Sequence, residues 1–126
     1  MMDFLTIGEQ QYINLETFKK DGTGVKTPVW VVKENDRLFV WTQADSWKVK
    51  RIRRNEDVKL CKSDARGTPL SDWVSAKAKI LDTQADITTL RGRMLKKYGM
   101  MFRLINLMGR LRGRSLDGIA GIELTQ

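Results

Sequence analysis

Thr42, Ser46 and Lys48 are the side chains in this sequence whose types and spacing best suit shared chemistry. They lie in the segment from residue 40 to 54, which reads VWTQADSWKVKRIRR. Ser46 is a good helix N-cap, Val49 and Ile52 share a face of the helix that would follow, and Asn55 can end it. Lys48 then stands in the first helical turn, where the free amides make the dipole positive and a cation costs about 0.3–1 kcal/mol. The conflict disappears if a phosphate rests on those amides. Lys48 would reach over the same anion, with the Ser46 and Thr42 hydroxyls as further donors. The alternative is a surface helix that tolerates a misplaced lysine.

A second irregularity is Thr27-Pro28 at the head of an otherwise strong strand. Proline gives no amide to a ladder, so the strand cannot be fully paired there and its neighbouring backbone is free to meet something else. Trp30 and Trp41 fall on the adjacent second and third strands, where they could form a flat apolar wall for a planar ligand or serve as core.

The missing residue types narrow the chemistry. The chain has no His, which excludes Ser-His-Asp and Cys-His machinery, a histidine base and a His-ligated metal. Cys61, the one cysteine, can build neither a thiolate zinc site nor an internal disulfide, so no metal and a cytoplasmic setting are expected. Chemistry must come from a cofactor or from Lys, Arg, Tyr, Asp and Glu. The start at Met1, Met2, Asp3 and Phe4 shows no signal peptide, and no apolar run is long enough for membrane insertion.

With 23 basic and 15 acidic residues the net charge is +8, which points to an anionic partner. One concentration is Lys48, Lys50, Arg51, Arg53 and Arg54 behind Trp47; the other is the acid-free stretch from Ile87 to Leu116. That second stretch holds Arg91, Arg93, Lys96, Lys97, Arg103, Arg110, Arg112 and Arg114, and a solvated basic face accounts for it as well as a binding patch does.

These residues must be positioned by a small set of elements. At 126 residues the chain is expected to form one domain over 1–126 with one real core. Residues 11–18, 25–33 and 38–42 read as strands joined by the turns Asp21-Gly22-Thr23-Gly24 and Glu34-Asn35-Asp36-Arg37, hence an antiparallel meander. A short helix over 46–54 follows, then strands over 58–61 and 73–81, the latter alternating Val74, Ala76, Ala78 and Ile80 against Ser75, Lys77 and Lys79. Asp82 opens a helical region whose stripe runs Ile87, Leu90, Met94, Tyr98, Met101, Ile105, Met108. Gly92, Gly99 and Gly109 weaken it, so two helices broken near Gly99 are expected, with the stripe packed on the sheet. A final strand spans 119–125. A meander with a late return strand suggests a mainly β barrel with flanking helices, since closure removes exposed edges.

In combination, Asn14-Leu15-Glu16-Thr17-Phe18, Asp21-Gly22, Thr27-Pro28-Val29-Trp30 and Val40-Trp41-Thr42 with Ser46 and Lys48 resemble the pyridoxamine 5′-phosphate oxidase-like family. Lys97-Tyr98-Gly99 and Ile122-Glu123-Leu124-Thr125 resemble its branch of deazaflavin (F-420)-dependent oxidoreductases, and the likeness runs from about residue 11 onward. The resemblance implies a six-stranded antiparallel split β-barrel of the FMN-binding type, assembled as a homodimer with cofactor clefts between subunits. It further implies an oxidoreductase passing hydride or electrons between FMN or coenzyme F-420 and a small-molecule redox substrate. Carried over by residue, Thr42, Ser46 and Lys48 would hold the phosphate. The backbone of Thr27, Pro28, Val29 and Trp30 and of Val40, Trp41 and Thr42 would line the ring and ribityl chain. Trp47 and the loop before Trp73 would add contacts, the latter across the dimer.

The carboxy-terminal Arg-x-His element of true pyridoxamine phosphate oxidases has no counterpart here, nor does the histidine ligand of haem-degrading relatives, so neither activity is expected. Two other readings compete with the enzyme. One is a basic nucleic-acid-binding module, which lacks a stacking or helix-turn-helix signature. The other is a cofactor carrier of the same fold without turnover.

Overall fold

The computed structural model describes residues 3–102 and 118–126. Of the residues weighed above, Arg103, Ile105, Met108, Gly109, Arg110, Arg112 and Arg114 lie outside them, and most of the second expected helix with them.

Six strands form the frame: β1 (Tyr12–Phe18), β2 (Gly24–Glu34), β3 (Arg37–Gln43), β4 (Asp57–Ser63), β5 (Val74–Leu81) and β6 (Ile119–Thr125). All neighbouring pairs are antiparallel, and the order β1-β2-β3-β6-β5-β4 closes on itself through β1 and β4. The expected barrel is therefore present, with the return strand β6 inserted between β3 and β5. Asn35 and Asp36 make the two-residue β2–β3 turn, and Asn35 takes the left-handed conformation (φ 57°) that such turns demand. The β1–β2 turn closes through Lys19 N–H to Thr23 C=O at 2.9 Å, with the Asp21 carboxylate accepting from Thr23 N–H at 2.9 Å.

Strand alternation fills the interior. Ile13 and Leu15, Val29 and Val31, Leu38 and Val40, Val58 and Leu60, Ala76 and Ala78, and Ile122 and Leu124 form one buried cluster. Two helical pieces add to it. The helix α2 (Trp47–Arg54) buries Val49 and contributes Ile52, as its spacing predicts. The single turn α1 (Phe4–Ile7) inserts Phe4 and Ile7, both almost wholly buried. Sequence reading misses α1 because four residues are too few to show a helical period.

The longer helix α3 (Gln84–Tyr98) lies outside the barrel wall and creates a second cluster of Val32, Phe39, Leu90, Met94 and Phe102. Its cap is Thr83, whose hydroxyl accepts from Asp86 N–H at 3.1 Å, so the helix starts beyond Asp82; the Asp82 carboxylate instead pairs with Arg53 at 3.1 Å. Gly99, with φ 57°, ends it where a break is expected. The close approach of α3 needs Gly121 on β6, because a Cβ there would meet Leu90 Cδ2 at 2.8 Å. Among the described residues no helix is long and apolar enough to cross a membrane, and no group of three or more His, Cys, Asp or Glu could hold a metal.

Candidate functional site

The barrel wall parts between β2 and β3. Their pairing runs only from Glu34↔Arg37 to Val31↔Val40. Beyond that point Gly24–Trp30 stays with β1, and Trp41–Gln43 stays with β6. Thr27–Trp30 thus forms one lip of the split and Trp41–Thr42 the other, with Val40 at its apex.

Backbone direction explains the placing of Pro28. The Val31 N–H and C=O both point to the β1 side, where they meet the Tyr98 hydroxyl. Backbone groups alternate along a strand, so those of Pro28 point to the free lip. The residue without an N–H stands where no strand needs one.

Side chains alternate across the same lips. Val29 and Thr42 turn inward and are 8% and 7% exposed. Trp30 and Trp41 turn outward beneath α3. Trp30 stacks on Tyr98 at 4.4 Å between ring centroids, and Trp41 meets Phe102 edge to face at 5.1 Å. Both indoles are half-buried and packed against the second cluster, so each does core work on that side.

The chain leaves the β3 lip directly into the start of α2. Ala44 N–H donates to Gly118 C=O at 2.6 Å, and Ser46 N–H turns back to Gln43 C=O at 3.2 Å. Ser46 holds the extended conformation of an N-cap (φ −69°, ψ 154°), yet its hydroxyl caps nothing. That Oγ is buried and has no hydrogen-bond partner among the described residues. An unpaired buried polar atom costs about 1–3 kcal/mol, so something is expected to meet it.

Lys48 stands half-buried in the first turn, which holds no acidic residue. Burial pushes its ammonium pKa below the ordinary value, and the charge of Arg51 pushes the same way. No carboxylate pairs with Lys48 among the described residues, including the nearby Asp45. Trp47 is 70% exposed and carries the Lys50 ammonium 4.4 Å above its ring.

Trp73 is half-buried just before β5, with the ammonium of Lys26, the residue preceding Thr27, 5.3 Å from its ring centroid. The structure thus brings Thr27–Trp30 and Val40–Thr42 to one split, and Ser46, Trp47 and Lys48 to the helix start that follows it. Sequence reading counts Arg51 only as surface charge. Its NH1 donates to the buried Thr17 hydroxyl at 3.2 Å, which holds the guanidinium near Lys48; the three-residue spacing on a helix is the signal for it. Lys97 and Tyr98 carry a resemblance in sequence and a structural task in the fold. The Lys97 ammonium donates to the carbonyls of Gly8, Gln10 and Val31, and the Tyr98 hydroxyl stands where β1 would have continued beside Val31.

No protein-family model matches this sequence, and no curated protein matches it. Solved structures do. A pyridoxamine 5′-phosphate oxidase candidate from Listeria innocua is 14% identical with a TM-score of 0.66, over 96% of this chain and 88% of that one. An F420 reductase is 13% identical with a TM-score of 0.62, over 99% and 94%. A heme storage protein from Vibrio cholerae is 12% identical with a TM-score of 0.66, over 94% and 83%. A closed six-stranded barrel parted between β2 and β3, with α2 at the mouth of the split, thus gives this chain the fold of the pyridoxamine 5′-phosphate oxidase-like split β-barrels.

Proposed function

We propose that the chain is a flavin- or deazaflavin-dependent oxidoreductase that holds the phosphate of FMN or coenzyme F-420 at the start of α2. The observation that carries this reading is the buried Ser46 hydroxyl, followed two positions later by a half-buried Lys48 in an acid-free first turn, neither having a hydrogen-bond or carboxylate partner among the described residues. A hydroxyl donor, a cation and free helical amides suit a phosphate together. Thr42 at the end of the β3 lip would add a second hydroxyl, and Trp47 an apolar shoulder.

The ring would lie along the split, against the backbone of Thr27–Trp30 and Val40–Thr42. Val29 and the barrel interior would exclude water from its inner side. The cofactor would supply the hydride or electron chemistry, and the residues around it would bind, orient and keep it dry. No side chain is needed as proton donor or acceptor, which suits a chain without histidine. The similarity to an F420 reductase and to an oxidase candidate supports this choice of chemistry. A homodimer in the cytoplasm, with Trp73 of one subunit reaching the cleft of the other, belongs to the same proposal. A carrier without turnover is the second reading, favoured by the likeness to a heme storage protein.

Fluorescence titration with FMN and with coenzyme F-420 tests the assignment. Lys48→Ala removes a charge-assisted contact of about 1.5–3 kcal/mol and is expected to weaken binding roughly ten- to hundredfold. Unchanged affinity in that variant rejects the cradle. Reduction of the bound cofactor by a reduced nicotinamide nucleotide, which is itself oxidised in the step, followed by reoxidation with candidate acceptors, separates enzyme from carrier.

A further inference from the structure

We propose that the cavity between α3 and the β3–β6 ribbon is a binding site for a small aromatic anion. It is separate from the α2 cradle and goes beyond the cofactor reading. Its volume is about 340 Å³. That is the lower end of small-molecule sites, so it suits a ligand of one or two rings and is too small for a whole flavin nucleotide.

The lining has the composition of such a site. Trp41 gives a flat wall, and Ile87, Leu95 and Ile119 are the aliphatic sides. All four are only half-buried, so their apolar surface remains available. The helical contribution follows one stripe of α3, where Gln84, Ile87, Thr88, Arg91, Gly92 and Leu95 recur at three and four residues. Leu90 and Met94, on the adjoining face of the helix, belong to the second core cluster, against which Leu95 and Trp41 are also packed on one side.

Two features call for an occupant. Gly92 lies inside the helix, where glycine is the poorest former after proline, and a Cβ built there meets no atom within 4 Å. Packing against the described residues therefore does not require glycine, and a side chain at 92 would stand in the cavity. Arg91 lines the cavity and forms no ion pair among the described residues, whereas the one carboxylate in the lining that could offset it, Asp82, is held by Arg53 at 3.1 Å. An apolar wall with a single uncommitted cation selects a ring system bearing a carboxylate or similar anion.

Naphthalene carboxylate and its neutral counterpart naphthalene methanol are suitable probes, used on the full chain without any flavin. The readout is the Trp41 indole N–H resonance of isotope-labelled protein, identified by its loss in Trp41→Phe. Naphthalene carboxylate is expected to shift it saturably, and the alcohol to bind about tenfold more weakly. Arg91→Gln should erase that difference. Gly92→Leu should abolish the shift without lowering the melting temperature, and Thr88→Trp, which fills the same space from an exposed position, should do likewise. Equal binding of both probes, a shift at Trp47 or Trp73 instead, or full binding in both filled variants overturns the proposal. Because no flavin is present, failure here leaves the α2 reading standing, and loss of flavin binding leaves this site standing.

Discussion

Replacing Tyr98 by Phe tests how the β1–β2 ladder is finished. Val31 is 0% exposed, and its N–H donates to the Tyr98 hydroxyl at 3.2 Å. The same hydroxyl has the Val31 and Gln11 carbonyls within reach, the latter at 2.9 Å. Phe keeps the stack on Trp30 but leaves the Val31 amide buried with no partner. Lys97 still serves the Val31 carbonyl at 2.7 Å, so the loss falls on the donor side. A stranded buried amide costs about 1–3 kcal/mol. Unfolding entropy near 2.1 cal/mol/K per residue over 126 residues converts each kcal/mol into about 4 °C, so the melting temperature should drop by about 4–12 °C.

Alkaline titration supplies an independent check on the same hydroxyl. Burial pushes the Tyr98 pKa up to about 12. The unfolded chain therefore releases this proton near pH ~10 while the native one keeps it, so the contribution is full below that pH and lost between about 10 and 12. Tyr98→Phe should lack this alkaline loss. Calorimetry and tyrosinate absorbance measure both effects. A Tyr98→Phe protein that melts within about 1 °C of the parent, with an unchanged alkaline limb, refutes the assignment of Tyr98 as the substitute partner of Val31.

Two further outcomes are expected. Above neutral pH a phosphate monoester is already dianionic, so affinity at the α2 cradle should follow Lys48 alone and fall with rising pH before the ordinary lysine value of 10.5, because burial and Arg51 depress that group. Lys48→Arg should flatten the decline in fluorescence titrations, since arginine stays charged throughout. In Gly8→Ala the new Cβ would fall 2.1 Å from Cδ2 of the buried Leu38, so urea unfolding should register a loss of about 1–3 kcal/mol, partly recovered by adding Leu38→Val.

Much of this fold is legible in local sequence because its signals are local. Alternation from Val74 to Leu81, the Asn35-Asp36 turn and the Val49–Ile52 face each depend on a few neighbouring residues, and each appears as expected. The candidate site is legible for the same reason: Lys48, two residues after the Ser46 cap, conflicts with helix electrostatics within one turn, wherever that turn is placed. The four-residue α1 is not, because Phe4 and Ile7 are fixed by the barrel interior they enter rather than by any period of their own.

Chain order and hydrophobic period by themselves determine the strands, the capped helix and the isolated basic turn, since φ/ψ preference and side-chain alternation act over a few residues. Only the tertiary structure decides which way the indoles of Trp30 and Trp41 are used, that β6 enters between β3 and β5, and that Lys97 and Tyr98 complete an unfinished ladder. Those outcomes depend on contacts between residues far apart in sequence, such as Val31 with Tyr98, whose partners no local pattern encodes.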